Sequence, residues 1–167
     1  MIVILFTGRK RYMDKKALEK SYQQGIELIQ EYVTDYLVEN YEDIKKIEWQ
    51  GIGIEYRHSP IFGPSLFGDY VDTDAKVYVS KGNYFTMTFQ LSDEAEYNTN
   101  LKKYVLVESL NSKWIDRIFN TELNNTVKGG KKGDRMDKLS AEKLKKSSQG
   151  SSSAKITYSL KIHELNY

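Results

Sequence analysis

The stretch DKKALEKSYQQGIELIQEYVTDYLVENY, residues 14–41, decides the fold because it is a long segment with helical spacing of its apolar residues. Such spacing places the apolar side chains in one stripe along an α-helix. The stripe consists of Leu18, Tyr22, Ile26, Ile29, Val33 and Leu37. Asp14 belongs to the residue types that cap helices, so the helix is predicted to begin there. A helix with one apolar stripe needs a second layer to pack against.

The first strand is predicted at residues 44–56, where the apolar residues change once from odd-numbered to even-numbered positions. Ile47 and Trp49 occupy odd positions, whereas Ile52 and Ile54 occupy even positions. A β-bulge at Gly51 explains the change, because one extra residue returns the following side chains to the same face. We therefore expect a bent strand.

A β-hairpin is predicted next. Residues 75–79 alternate, residues 80–83 (Ser-Lys-Gly-Asn) form a tight-turn signal, and residues 84–91 place their apolar side chains on one face. Those apolar side chains are Phe85, Met87, Phe89 and Leu91.

Three further elements complete the pattern: a strand at residues 104–107, a short helix at residues 112–123 and an alternating final strand at residues 155–163. The order of these elements predicts an α+β fold in which an N-terminal amphipathic helix packs on a curved antiparallel β-meander. Residues 12–126 and 154–167 would form this single domain.

Residues 127–153 differ in composition and are predicted to be a mobile Lys/Gly/Ser-rich insertion. Within them, residues 128–146 carry eight basic and three acidic side chains, a net charge of 8 − 3 = +5 in a chain of net charge +2. A basic surface is predicted at Lys128, Lys131, Lys132 and Arg135. Because residues 128–146 contain no aromatic side chain on which bases could stack, nucleic-acid binding is not predicted.

The loop at residues 59–74 is rich in proline, glycine and large apolar residues. An apolar loop either folds over the end of a sheet or stays exposed to bind a partner. For the second case the candidate partner-binding residues are Phe62, Leu66, Phe67 and Tyr70.

Residues for catalysis or metal binding are scarce. The chain has no cysteine, and its two histidines, His58 and His163, lie at predicted strand edges. No nucleophile elbow or phosphate-binding loop is present. Asp69, Asp72 and Asp74 do not follow a calcium-loop pattern and are interpreted as turn and strand-flanking carboxylates. We therefore predict no catalytic residue, no metal and no cofactor.

Residues 1–11, MIVILFTGRKR, combine a short apolar run with a basic one. The run is far shorter than the roughly 20 apolar residues that span a bilayer. It is interpreted either as the remnant of a lipoprotein signal or as a buried first strand.

Residues 28–51, 59–63 and 69–79 together resemble small surface lipoproteins of Gram-positive bacteria with a cystatin-like (NTF2-like) fold. The shared pattern is a helix that enters the first strand through N-Y-x-x-I-x-x-I, then a Pro/Gly loop, then a strand. Arg9 stands where that family has its lipid-bearing cysteine, which leaves lipid anchoring of this chain open. The resemblance implies a non-enzymatic domain held at the cell surface, and some proteins of this kind look like immunity proteins against secreted toxins.

The expected function is therefore that of an extracytoplasmic protein-binding domain. Its partner would be another protein, with a toxin as one candidate, and the chain would associate with the membrane periphery. It would bind through the open face of the sheet and the loop that contains Phe62. Two alternatives remain: an NTF2-like enzyme or pocket protein that uses Asp69 and His58, and a cytosolic interaction module, favoured if residues 2–6 form a strand.

Overall fold

The computed structural model describes residues 2–59, 63–64, 68–130 and 132–165, with side chains at residues 15–57, 68–130 and 132–165. The elements are α1 (Ile2–Asn40), β1 (Lys46–Trp49), β2 (Ile52–Glu55), β3 (His58–Ser59), β4 (Gly63–Pro64), β5 (Tyr70–Ser80), β6 (Asn83–Gln90), α2 (Leu91–Glu94), β7 (Ala95–Asn98), β8 (Lys103–Leu106), α3 (Ser112–Val127), α4 (Lys138–Lys143), β9 (Lys155–Thr157) and β10 (Ile162–Glu164).

The predicted helix is present, but it is longer than predicted. It begins at Ile2 and ends at Asn40, so the predicted start at Asp14 is wrong, as is the alternative of a strand at residues 2–6. Residues 2–13 lack proline, the residue that interrupts a helix most strongly. The buried stripe is confirmed from Tyr22 onward, whereas Leu18 is 38% exposed.

The bulge at Gly51 is confirmed by the strand register. β1 and β2 both pair with β5, but Trp49 pairs with Ala75 while Gly53 pairs with Asp72. Between these pairs β1–β2 has three residues and β5 has two, so one residue is extra. Gly51 has φ of +90°, a conformation that favours glycine.

The β5–β6 hairpin is confirmed, with its turn at Lys81–Gly82. β5 is longer than predicted, because it begins at Tyr70 and not at Ala75. Residues 70–74 continue the alternation of β5 and pair with β2 and β6, so they belong to the sheet and not to the loop.

The final strand changes the sheet type. β9 pairs with β1 and β10 pairs with β2, and both pairings are parallel. The sheet is therefore mixed and not the antiparallel meander that we predicted. The strand is also interrupted at residues 158–161, where α1 makes contact: Gln30 donates to the Ser159 carbonyl oxygen over 2.9 Å and Gln23 donates to that of Leu160 over 3.1 Å.

Among the described residues the main sheet has six strands, which lie side by side in four positions in the order β9/β10, β1/β2, β5 and β6. The strand predicted at residues 104–107 is β8, which pairs with β7 in a separate hairpin and not with the main sheet. The predicted short helix is α3, extended to Val127, with Ile115, Phe119 and Leu123 buried.

Both long helices lie on one face of the sheet. Thr34 of α1 accepts a hydrogen bond from the Trp49 indole over 2.8 Å, and Gln30 donates to the Thr73 hydroxyl over 3.0 Å. Phe119 of α3 packs edge-on against Phe85 of β6, with ring centroids 5.0 Å apart. Full burial of a large apolar side chain contributes roughly 1.5–3 kcal/mol, so this layer supplies the core. The α+β class with an N-terminal helix is confirmed.

Residues after α3 return along the C-terminal end of α1. The Ser151 backbone N–H donates to the Val38 carbonyl oxygen over 2.7 Å, and the Ser151 hydroxyl accepts a hydrogen bond from the Ile44 backbone N–H over 2.9 Å. Met136 and Leu144 are buried in the core. These contacts attach the insertion to the domain at several points; its predicted mobility stays a prediction.

A polar group, here called the Asp116 cluster, consists of Asp116, Tyr36, Tyr41 and Lys146. Both tyrosine hydroxyls donate to Asp116 Oδ1, over 2.8 Å from Tyr36 and 2.7 Å from Tyr41, and Lys146 Nζ lies 2.5 Å from Oδ2. The cluster joins α1, α3 and the returning segment at a single carboxylate.

Candidate binding surface

The sheet has a second face, opposite α1 and α3, which we call the open face. Its residues alternate along each strand with the buried core residues. The cross-strand pairing sets Lys46 beside Tyr78 and Tyr78 beside Tyr84, and it sets Glu48 beside Lys76 and Lys76 beside Thr86. The open face comprises Lys46, Glu48, Gly53, Asp72, Asp74, Lys76, Tyr78, Tyr84, Thr86, Thr88 and Gln90. Thr86 is buried, because its hydroxyl donates to Asp134 of the segment that follows α3, over 3.1 Å.

One end of the open face is basic and aromatic. The rings of Tyr78 and Tyr84 stack with centroids 4.8 Å apart. Lys46 Nζ lies 5.0 Å from the Tyr78 ring centroid, and Lys76 Nζ lies 5.4 Å from that of Tyr84. Lys46 also forms an ion pair with Glu48 at 2.6 Å, and these two side chains remain 34% and 30% exposed. The rings are thus held in place while one side of the group faces solvent.

The other end of the open face is acidic. Asp72 lies beside Gly53, and Asp74 accepts a hydrogen bond from the Thr88 hydroxyl over 2.7 Å. Partial burial and the neighbouring Asp74 carboxylate raise the pKa of Asp72, against the opposing effect of a hydrogen bond from Tyr70. The open face therefore has a charge gradient along its strands.

Gly53 makes the close packing at this acidic end feasible. A Cβ there would lie 2.6 Å from Asp72 Oδ1 and 2.9 Å from Leu165 Cδ2, so both side chains lie over the glycine. His163 is the register partner of Gly53 and is exposed, as predicted for the polar side of the last strand.

The predicted partner-binding loop joins the open face at Tyr70. Tyr70 is partly buried, and the Arg57 guanidinium lies 5.9 Å from its ring centroid. Phe62, Leu66 and Phe67 lie outside the described residues. Their positions in the sequence place them within eight residues of Tyr70, before β5.

The predicted basic surface lies at the opposite edge. Arg135 pairs through its backbone with Tyr84 of β6, and the Tyr84 hydroxyl donates to the Gly133 carbonyl oxygen over 2.7 Å. Lys128, Lys132 and Arg135 are exposed, whereas Lys131 lies outside the described residues. The basic segment therefore borders the basic, aromatic end of the open face.

Asp69, proposed for the enzyme alternative, is already engaged by the protein. The Tyr22 hydroxyl donates to its Oδ2 over 3.0 Å, and the Arg57 backbone N–H donates to its Oδ1 over 2.9 Å. Burial, together with the Asp69 carboxylate, raises the pKa of Tyr22. The side chain of His58 lies outside the described residues.

The interface between α1 and the sheet is filled by side chains. Ile26, Ile29, Trp49 and Phe89 are all essentially inaccessible there and belong to one hydrophobic core, so no cleft open to solvent runs between helix and sheet among them. Across the described side chains, no cluster of three histidine or carboxylate groups could hold a metal ion. A surface groove of about 510 Å³ lies elsewhere, beside the end of α1, and is lined by Glu42, Asp43, Leu139, Glu142, Lys143 and Lys145.

Sequence reasoning missed a buried carboxyl. Glu94 is 2% exposed, and one of its oxygens accepts a hydrogen bond from the Trp114 indole over 2.8 Å. Burial raises its pKa. In the sequence Glu94 stands among Asp93 and Glu96, a pattern typical of a solvated face, and only the strand–helix junction at α2 turns its side chain inward.

No protein-family model, no curated protein and no solved structure matches this chain.

Proposed function

We propose that this chain is a non-enzymatic, extracytoplasmic protein-binding domain of a bacterial surface protein, with the cystatin-like plan that its sequence resembles. The observation that supports it most directly is the ordered group of Tyr78, Tyr84, Lys46 and Lys76 on the open face. Protein interfaces concentrate binding energy in a few residues, tyrosine among them, and side chains that are held in place before the partner arrives lose less conformational freedom on binding.

The rigid support of this group strengthens the proposal. β5 is an 11-residue strand paired on both sides, and its other face packs into the core through Val77 and Ala75. Side chains anchored on such a strand lose little conformational freedom on binding, because their backbone is fixed already. The binding surface is therefore preorganised.

The neighbouring loop would add apolar anchors to this polar surface. Phe62, Leu66 and Phe67 precede Tyr70, whose strand position fixes one end of the loop beside the acidic end of the open face. A partner that covers the open face and this loop would meet charges, tyrosines and apolar side chains together, which is the composition of a protein interface.

The resemblance to surface lipoproteins supports an extracytoplasmic location and, within that class, a role as an immunity protein that neutralises a secreted toxin. The two alternatives receive less support. The pocket alternative needs an open cavity where Ile26, Ile29 and Trp49 are inaccessible to solvent, and the cytosolic-module alternative was favoured by a strand at residues 2–6, where α1 runs instead.

Site-specific photo-crosslinking in a Gram-positive host tests the proposal. A photoreactive residue at Thr88, exposed on the open face, should give one discrete protein adduct, whereas the same residue at Tyr32, 40% exposed on α1, should not. Adding Tyr78→Ala and Tyr84→Ala should remove the Thr88 adduct. Adducts of equal yield at Thr88 and Tyr32, or none at Thr88, would refute the open face as the binding surface.

The loop is tested separately by Phe62→Ala with Phe67→Ala. We expect these changes to abolish the Thr88 adduct while the melting temperature stays nearly constant, because an exposed loop contributes little to the core. A large fall in melting temperature would instead show that the loop packs on the sheet.

A further inference from the structure

The middle of the open face carries two opposite charges that form no ion pair within the described part of the chain. Lys76 and Asp74 lie two positions apart on β5, and both are partly exposed. Lys76 Nζ lies over the Tyr84 ring, and Asp74 accepts a hydrogen bond from the Thr88 hydroxyl. The ion pairs between described side chains include neither residue. Each charge can therefore still meet an opposite charge from outside the chain.

The order of groups along β5 reverses in charge at Ala75. Lys76 and Tyr78 follow Ala75 at the same intervals at which Asp74 and Asp72 precede it. These four side chains are on the open face, whereas Ala75 is buried on the core side. A twofold rotation about an axis that crosses the strands above Ala75 therefore places the basic end of one open face on the acidic end of another.

We infer that the open face binds the open face of a second copy of this chain, with the two β5 strands antiparallel. Lys76 of each copy then lies opposite Asp74 of the other copy, and Tyr78 lies opposite Asp72. Because the contact is twofold symmetric, each of these pairs forms twice. The inference goes beyond the proposed function and adds a regulation to it, since a protein partner must displace the second copy from the open face.

The size of the open face fits a weak, reversible dimer. The strands lie in four positions about 4.8 Å apart, and β5 has 11 residues of about 3.3 Å each. Since the neighbouring strands are shorter, the face measures roughly 600 Å² on each copy. Two copies would bury about 1,200 Å² together, which is the lower end for specific interfaces. Asp134 covers the face only beside Thr86 of β6, whereas Lys76 and Asp74 of β5 remain partly exposed.

The charge pattern favours a second copy over a partner that carries one sign of charge. An acidic partner would attract Lys46 and Lys76 but would be repelled by Asp72 and Asp74, and a basic partner would meet the reverse. A second copy is complementary at both ends of the face. The ring of Tyr78, held by stacking, adds a rigid aromatic contact near each ion pair.

Sedimentation velocity of the purified full chain tests the inference. We expect a species of twice the 19.4 kDa mass of one chain, whose share rises with protein concentration and falls at high salt. Lys76→Asp and Asp74→Lys, made separately, each set like charges opposite each other twice, so each should weaken dimerisation roughly 10-fold or more. The control variants Lys113→Asp and Glu108→Lys, exposed near the start of α3 on the other side of the sheet, should change it less than twofold.

A mixture of the two single variants gives the sharpest result. In a dimer of one Lys76→Asp copy and one Asp74→Lys copy, opposite charges meet at both β5 contacts. The mixture should therefore recover dimers that neither variant forms alone, and the double variant should dimerise by itself. A folding defect cannot produce this recovery, and circular dichroism of each variant checks that the fold is retained.

Three results would overturn the inference: a chain that stays monomeric at millimolar concentration, single variants that dimerise as well as the controls, or a mixture that recovers no dimers. Failure here leaves the partner adduct at Thr88 in the host intact. Failure of the proposed function removes that adduct and leaves the dimer of the purified chain unchanged. Mass spectrometry of the crosslinked peptides separates an adduct between two copies from an adduct with a different protein, so the two proposals can fail independently.

Discussion

The Asp116 cluster and the basic, aromatic end of the open face are built from the same three chemical groups, and they differ in what surrounds them. Each combines two tyrosines, lysine and a carboxylate. In the Asp116 cluster both tyrosine hydroxyls donate to the carboxylate, and the cluster joins three segments of the chain. On the open face the rings stack on each other, and the ammonium groups lie against them at the surface.

This difference shows how to separate residues that hold the fold from residues available for binding. A polar group that connects distant segments and is partly withdrawn from water stabilises the fold, because a partly buried donor that loses its acceptor pays a desolvation cost. A group whose members lie on adjacent strands adds little to the fold, because the strands are already paired. The fixed positions of its side chains can then be used to recognise a partner.

The largest expected effect comes from removing the shared carboxylate. Asp116→Ala leaves the hydroxyls of Tyr36 and Tyr41 without their acceptor, so we expect the free energy of unfolding to fall by about 2–3 kcal/mol. Urea denaturation measures it. The matched change Glu48→Ala on the open face should cost less than about 0.5 kcal/mol. Equal losses from the two variants would remove the distinction between the clusters.

A second prediction concerns the segment that the Asp116 cluster attaches. Gly150 has φ of +62°, and a Cβ there would lie 2.3 Å from the Val38 carbonyl oxygen. Gly150→Ala should therefore destabilise the protein by about 2 kcal/mol or more, from strain and a backbone clash together. Gly129 also has positive φ, +77°, but has no atom within 4 Å, so Gly129→Ala should cost only about 1 kcal/mol. Thermal unfolding of the pair compares them; equal shifts would mean that residues 147–151 move away without cost.

An element of the fold could be predicted from the sequence where its sequence signal lies within a few neighbouring residues. The bulge at Gly51 and the β5–β6 hairpin were predictable, because alternation and turn residues lie within a few positions. The parallel direction of β9 and β10 was not, since it depends on the path of residues 128–154, which have no periodicity.

The contacts within the two polar clusters likewise could not be predicted from local sequence signals. Asp116 is 80 residues from Tyr36 and 30 from Lys146, and no spacing rule relates such positions. The open face itself was predicted from alternation, but the stacking of Tyr78 on Tyr84 depends on the hairpin register. The extension of α1 to Ile2 was missed because Asp14 offered a plausible cap within a segment that is helical throughout.

A third prediction uses pH to distinguish two aspartates. Burial opposes ionisation of Asp116, but hydrogen bonds from Lys146, Tyr41 and Tyr36 outweigh it and lower its pKa. Asp116 therefore adds stability above the ordinary aspartate pKa, and that stability is lost as the pH falls through the lowered value. Burial and Asp74 raise the pKa of Asp72, so its ionised form opposes folding at neutral pH.

The free energy of unfolding of two asparagine variants, measured as a function of pH, tests these opposite contributions of Asp116 and Asp72. Asp116→Asn should be less stable than the parent protein at pH 7, and Asp72→Asn more stable. The Asp72→Asn difference should shrink as the pH falls from the raised pKa of Asp72 towards about 4, the ordinary aspartate pKa. The Asp116→Asn difference should shrink only as the pH falls below about 4, through the lowered pKa of Asp116. A destabilised Asp72→Asn at pH 7 would mean that its hydrogen bond from Tyr70 matters more than its burial.

The smallest effect is expected for the ion pair on the open face, and it makes the comparison quantitative. A double-mutant cycle on Lys46 and Glu48, both about one-third exposed, should give a small coupling that decreases in 1 M salt. The same cycle on Lys146 and Asp116 should give a larger coupling, because the carboxylate is only 21% exposed and is oriented by two tyrosines. If the Lys46–Glu48 coupling were the larger, the open-face ion pair would stabilise the fold more than the Lys146–Asp116 pair does. The distinction between a cluster that stabilises the fold and a surface that binds a partner would then be wrong.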